Sequence, residues 1–140
     1  MSKKIIKTDE ASLPVGPYNQ AVSIGSLIYT AGQIPLDKHG NMVPGGIKEQ
    51  TEQVIQNLIA VLGEGGSSLD KVVKATVFLK DLNDFAGMNE VYAKHFKSEI
   101  KPNRHSIPSK NNEKEYMDSW YIRHRYCCHC FDSCFQKVTF

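Results

Sequence analysis

Apolar and polar positions change period several times along the chain, and each change marks an element. Ile5 and Ile6 begin a short strand, and Leu13-Pro14-Val15-Gly16-Pro17 then reads as an irregular loop, because Pro and Gly interrupt any ladder. Ala21 to Ile24 and Leu27 to Ala31 are β-prone apolar runs separated by Gly25-Ser26. A two-residue Gly-Ser spacer predicts a hairpin with a II′ turn, since glycine supplies the positive φ such a turn requires. Asp37-Lys38-His39-Gly40-Asn41 is a turn cluster, and Pro44-Gly45-Gly46 breaks the chain before the next element.

From Ile47 to Leu62 the period becomes helical: Ile47, Val54, Ile55, Leu58, Ile59 and Leu62 form a stripe, with Lys48, Glu49, Glu52 and Gln53 between them. Gly63, Gly65 and Gly66 are the expected stop. Val72 to Leu79 alternates as a strand, with Val73, Ala75, Val77 and Leu79 on one face. A second helix follows, with Asn83 or Asp84 as its expected cap and Phe85, Met88, Tyr92 and Phe96 as its apolar stripe. Strand, hairpin, helix, strand, helix predicts an α+β fold, a mixed sheet with two helices on one face. The other face of such a sheet needs a cover, so a homo-oligomer is expected. There is no internal repeat and no glycine-rich nucleotide loop.

The 140 residues suffice for one core and exclude a multidomain enzyme. Seventeen Lys and Arg against fifteen Asp and Glu leave a formal charge of +2, too small a surplus to steer the chain onto nucleic acid or an anionic membrane. The first ten residues contain no signal-type apolar run, and Asp9 and Glu10 are unlike an Arg-rich presequence, so a cytoplasmic address is expected, with mitochondrial or nuclear presence left open.

Composition shifts near residue 104. All 10 Gly lie at or before Gly87, the last Leu is Leu82, and all 4 Cys and the single Trp lie in residues 105–140. Two regions are therefore expected: a regular domain over 1–104 and a divergent tail over 105–140 rich in Cys, His and Tyr.

Gly16-Pro17-Tyr18-Asn19-Gln20-Ala21, Tyr29-Thr30-Ala31-Gly32-Gln33-Ile34-Pro35, the run Lys74 to Phe85, and Met88-Asn89-Glu90-Val91-Tyr92 together resemble the Rid family, the reactive enamine/imine intermediate deaminases. The resemblance covers about residues 5–104. It implies a chorismate-mutase-like α+β fold, a homotrimer with sites in the clefts between subunits, and no metal or organic cofactor. It also implies hydrolysis of enamines and imines of the 2-aminoacrylate and 2-iminopropionate type to 2-keto acids and ammonia, which protects other enzymes from damage.

Such a substrate carries a carboxylate beside a C=N carbon, and the planar fork of an Arg can hold both carboxylate oxygens in a fixed pose. Arg104, in Pro102-Asn103-Arg104, matches the family's substrate-binding Arg and is the only Arg before the tail. Gly32 matches the glycine whose backbone approaches the ligand, Tyr18 an aromatic of the pocket wall, and Asn89 a further pocket position. Each has a plainer reading: a surface Arg, a bulge glycine, an interface tyrosine and an exposed helical asparagine.

After Arg104 the resemblance stops. The family's final strand carries a glutamate that helps to hold the attacking water. Glu113, Glu115 and Asp118 lie in the region, but none sits in an alternating apolar strand, and the role is assigned to none of them. A shifted reading frame, a retained intron or an alternative last exon would produce such a break, and the last strands of the sheet are then missing or replaced. His124, Cys127, Cys128, His129, Cys130 and Cys134 include one CxxC pair; free thiols are expected there, and no metal. The leading expectation is an imine deaminase. The alternatives are a non-catalytic trimeric binder of small carboxylates or regulatory member, and an inactive isoform with an altered ending.

Overall fold

The structure is a computed structural model and describes residues 2–108 and 135–139. Strands β1 (Lys3–Ile6), β2 (Ala21–Ile24) and β3 (Leu27–Thr30) precede helix α1 (Ile47–Glu64). Strand β4 (Lys74–Leu79), helix α2 (Phe85–His95), and strands β5 (Asn103–Pro108) and β6 (Phe135–Thr139) follow. The strands form one six-stranded sheet in the order β1-β2-β3-β6-β4-β5, mixed because β4 and β5 run parallel while the other pairs are antiparallel.

The hairpin forms where the Gly-Ser spacer places it. Ile24 pairs with Leu27 across the turn, and Gly25 takes φ 58°. Asp37 builds the following turn with its own side chain, whose Oδ1 accepts from the backbone N–H groups of His39 and Asn41, each at 2.9 Å.

Helix α1 starts after Gly46, whose N–H donates to Glu49 Oε2 at 2.8 Å. Of its three expected stop glycines only Gly66 enters the left-handed region, at φ 73°. Gly63 lies inside the helix, and Gly65 bears on packing. A Cβ there would stand 2.7 Å from Ile28 Cδ1 and 2.8 Å from Ile6 Cδ1, so a side chain at the helix end would have to displace the tips of these two sheet residues. Helix α2 also differs at its start. Asp84 is the cap position but makes no capping bond; Asp81 does this work one turn earlier, accepting from the Asn83 N–H at 2.9 Å.

Ile6, Ala21, Ile28, Ala75, Val77 and Leu79 point from the sheet toward Ile55, Leu58, Val61, Leu62, Met88, Val91 and Tyr92 of the two helices, and together they make the core. Both helices thus cover one face. The stripe on α1 is rotated slightly from the sequence expectation: Ile59 is largely exposed, whereas Asn57 is buried. On the opposite face Ile5, Leu27 and Tyr29 are exposed beside half-buried Val22 and Ile24, and Phe78 and Ile107 are half-buried on the β4–β5 side, so the open side of the sheet carries apolar residues on both flanks of β6.

Strands β5 and β6 lie where sequence patterning shows no strand. β5 is an edge strand held by its backbone to β4, in register Lys74 with Asn103 through Leu79 with Pro108, and an edge position tolerates both its polar side chains and its terminal proline. β6 fills the gap between β3 and β4 and pairs from Phe135 opposite Phe78 to Thr139 opposite Lys74. Of the tail, His105 lies in β5, whereas His124, Cys127, Cys128, His129, Cys130 and Cys134, with Glu113, Glu115 and Asp118, lie outside the described residues.

Candidate functional site

The four residues singled out in the sequence fall into two groups on different parts of the sheet. Tyr18 and Gly32 line one hollow, together with Ser12, Leu13, Pro14, Gln20, Ala31, Gln33 and Ile34. Arg104 and Asn89 belong to the β5 and α2 side. Strands β6 and β4 stand between β3 and β5. At ~4.8 Å per strand spacing the two groups are separated by on the order of 14 Å across the sheet.

The hollow is held open by polar side chains that the apolar pattern alone does not reveal. Gln20 is buried and ties the loop down: its Oε1 accepts from the Thr8 N–H at 2.7 Å, and its Nε2 donates to the carbonyls of Thr8 and Ser12, each at 3.0 Å. Its carbonyl also accepts from the Ala31 N–H at 2.8 Å, which fixes the chain just before Gly32. Tyr18 lies on this loop, its hydroxyl accepting from the Val15 N–H at 3.2 Å.

Beyond Gly32 the backbone is secured from below by α1. Asn57 Nδ2 donates to the carbonyls of Ile34 at 3.1 Å and Leu36 at 2.9 Å, while its Oδ1 accepts from Gln53 Nε2 at 3.0 Å. A polar residue on the apolar stripe of a helix was the only signal for this anchor in the sequence. Gln20 and Gln33 stand inside the quoted motifs, yet their burial becomes evident only in the fold.

Arg104 is positioned by strand register. It pairs with Ala75, whose side chain is fully buried beneath the helices, so the Arg104 side chain is directed toward the same layer. There the guanidinium carbon stands over the ring of Tyr92, 4.6 Å from its centroid, and 5.6 Å from that of Phe85. Nη1 donates to Met88 Sδ at 3.9 Å, a weak bond to a soft acceptor. Among the described residues no carboxylate lies within ion-pair distance of this half-buried cation. Asn89 is half-buried on α2, beside Met88 in the sequence.

Burial pushes the Tyr92 phenol up to about 12, against an opposing pull from the Arg104 charge, so the ring is neutral through the physiological range. Among the described residues no group of three or more His, Cys, Asp or Glu is placed to hold a metal ion. No described helix is long and apolar enough to cross a membrane.

The described residues thus form a small α+β fold with both helices on one face of the sheet, a hollow between the first loop and the end of β3, and an arginine on an edge strand with no carboxylate partner among the described residues. Residues 8–116 match the Endoribonuclease L-PSP family. The chain is 51% identical over 118 residues to a RutC family protein of Pyrococcus abyssi, covering 84% of this chain and 92% of that one. Its fold matches the crystal structure of RidA from an Antarctic Psychrobacter with a TM-score of 0.79 at 32% identity, covering 97% of both chains. It matches E. coli TdcF with bound serine at 0.77 and 30% identity, again over 97% of each. The chain therefore belongs to the Endoribonuclease L-PSP family, the group of RutC and Rid proteins that its motifs resemble.

Proposed function

We propose that this protein is a hydrolytic deaminase of reactive enamine and imine intermediates of the 2-aminoacrylate and 2-iminopropionate type, and that it protects against metabolite damage. The observation that carries the reading is the guanidinium of Arg104, half-buried and without a carboxylate partner among the described residues. A 2-imino acid offers it two carboxylate oxygens. Water adds to the C=N carbon, the C–N bond breaks, and a 2-keto acid and ammonia leave. Arg104 would hold the carboxylate, the Gly32 backbone would position substrate or water, and Tyr18 and Asn89 would shape the pocket. The serine bound in the TdcF structure is likewise a small molecule with a carboxylate, which is in keeping with this substrate class.

The separation of Arg104 from Tyr18 and Gly32 favours a homotrimer in which each site is completed by a neighbouring copy. So does the apolar open face of the sheet, where Ile5 is 68% exposed. Cleavage of RNA, which the family description suggests, calls for an acid and a base beside the scissile phosphate. The lining of the hollow contains no His, Asp or Glu among the described residues.

The test is a coupled assay in which a serine or threonine dehydratase generates the imine and 2-keto acid formation is followed with and without this protein. Acceleration is expected, and Arg104→Ala should abolish it. A soluble trimer that binds pyruvate without acceleration would establish the non-catalytic binding reading instead.

A further inference from the structure

Arg104 is half-buried and held without a carboxylate partner among the described residues. A carboxylate would fix it firmly but would also neutralise it, and a neutralised guanidinium makes a poor anion receptor. Here the holding surface is aromatic. Phe85, Met88 and Tyr92 occupy one stripe of α2, and all three touch the guanidinium. Tyr92 stands at the centre of the arrangement. Phe96 stacks on it with ring centroids 4.1 Å apart and planes inclined by 16°, which occupies one face of the ring and leaves the other to Arg104.

Tyr92 is only 7% exposed, and its hydroxyl is buried without a hydrogen-bond partner among the described residues. A buried O–H without a partner destabilises a fold, so among the described contacts the contribution of this side chain lies in its ring. The negative face of an aromatic quadrupole attracts a cation and leaves that cation's N–H donors free, because those donors lie in the guanidinium plane.

We propose that Tyr92, backed by Phe96, is a positioning residue that seats the guanidinium of Arg104 and presents its free N–H edge, with its full charge, to a substrate carboxylate. The proposal rests on the reading of Arg104 as a carboxylate receptor. Phe85, 5.6 Å from the guanidinium carbon, and Met88, which accepts from Nη1 at 3.9 Å, complete its described surroundings. The hydroxyl has no part in the seat, and phenylalanine should serve equally well at this position.

The experiment uses the full chain as wild type, Tyr92→Phe, Tyr92→Leu and Arg104→Ala. The side-chain signals of Arg104, assigned by their disappearance in Arg104→Ala, are recorded by NMR, and pyruvate affinity is measured as the carboxylate probe. In the wild type the aromatic ring current should move these signals upfield of those of a solvated arginine. Tyr92→Phe should preserve both the shift and the affinity. Tyr92→Leu should lose the shift and weaken pyruvate binding by about three- to tenfold, with KM for the imine rising more than kcat falls.

Wild-type Arg104 signals at solvated positions overturn the proposal by themselves, whether or not Tyr92→Leu folds. A folded Tyr92→Leu that keeps wild-type pyruvate affinity overturns it as well. Wild-type protein with upfield Arg104 signals that binds no pyruvate and turns over no imine leaves the seat standing and removes the carboxylate reading.

Discussion

Arg104 stands directly opposite Ala75 in the parallel β4–β5 ladder, and the pair divides the space beneath α2 between a methyl group and a long cationic side chain. Ala75 is fully buried. Ala75→Leu should therefore destabilise the fold by about 1–3 kcal/mol through overpacking, and should displace the Arg104 side chain next to it. Chemical denaturation measures the first effect. A pyruvate titration measures the second, since affinity should fall even under conditions where the variant is fully folded.

Asn57, itself buried, links α1 to the loop that follows Gly32 through two donated bonds and accepts a third from Gln53 of its own helix. Asn57→Ala leaves two carbonyls and the Gln53 amide without this partner and should cost about 2–4 kcal/mol. Amide hydrogen exchange should become faster at Ile34 to Val43 than in β4. Uniform acceleration across the protein would show instead that Asn57 stabilises the fold globally and does not anchor this loop.

Glu52 on α1 meets His95 at the end of α2, with Nε2 2.9 Å and 3.0 Å from the two carboxylate oxygens, and Gln56 donates to the same carboxylate at 2.8 Å. The bond to His95, followed by that to Gln56, holds the Glu52 carboxyl below its ordinary value. A group with a depressed native pKa stabilises the fold above its unfolded value of about 4.5, and this contribution is lost as pH falls through the lower, native value. Wild type and Glu52→Gln should therefore differ in stability near neutral pH, and the difference should shrink as pH falls below 4.5 and through the lowered native value. The difference should be modest, since both side chains are partly solvated. Urea midpoints measured from pH 3 to pH 7 would check this, and parallel curves would contradict it.

If Arg104 and the Tyr18–Gly32 hollow meet only between copies, two inactive variants should complement each other. Arg104→Ala and Tyr18→Ala, each expected to be impaired alone, should regain activity when unfolded together and refolded as a mixture. Random assembly of equal amounts restores both wild-type halves in about a quarter of the sites. A mixture no more active than its components would place both halves of the site within one chain.

Much of this fold is legible in residue order, because helices, strands and tight turns are local. The 3.6-residue stripe of α1, the alternation of β4 and the Gly25-Ser26 spacer each reflect hydrogen bonding and side-chain direction over a few residues. The motifs also identify the family, which the chain's similarity to RutC and Rid proteins bears out. Helix ends were less legible. A glycine at a helix terminus can serve φ or serve packing, and at Gly65 the deciding atoms belong to Ile6 and Ile28, far away in sequence.

Long-range relationships were decided only by the tertiary structure. β5 and β6 carry little apolar patterning because main-chain bonds to β4, rather than alternating side chains, place them in the sheet. Asn57 and Gln20 look like ordinary polar residues until the fold surrounds them with the carbonyls and N–H groups they satisfy. Residue order identifies Arg104 as a candidate, but its aromatic seat comes from a helix several turns earlier in the chain, and its distance from Gly32 comes from strand order. Local hydrogen-bond geometry repeats along a chain and can be read from it; contacts between distant segments depend on how the layers stack, and they exist only once the core has formed.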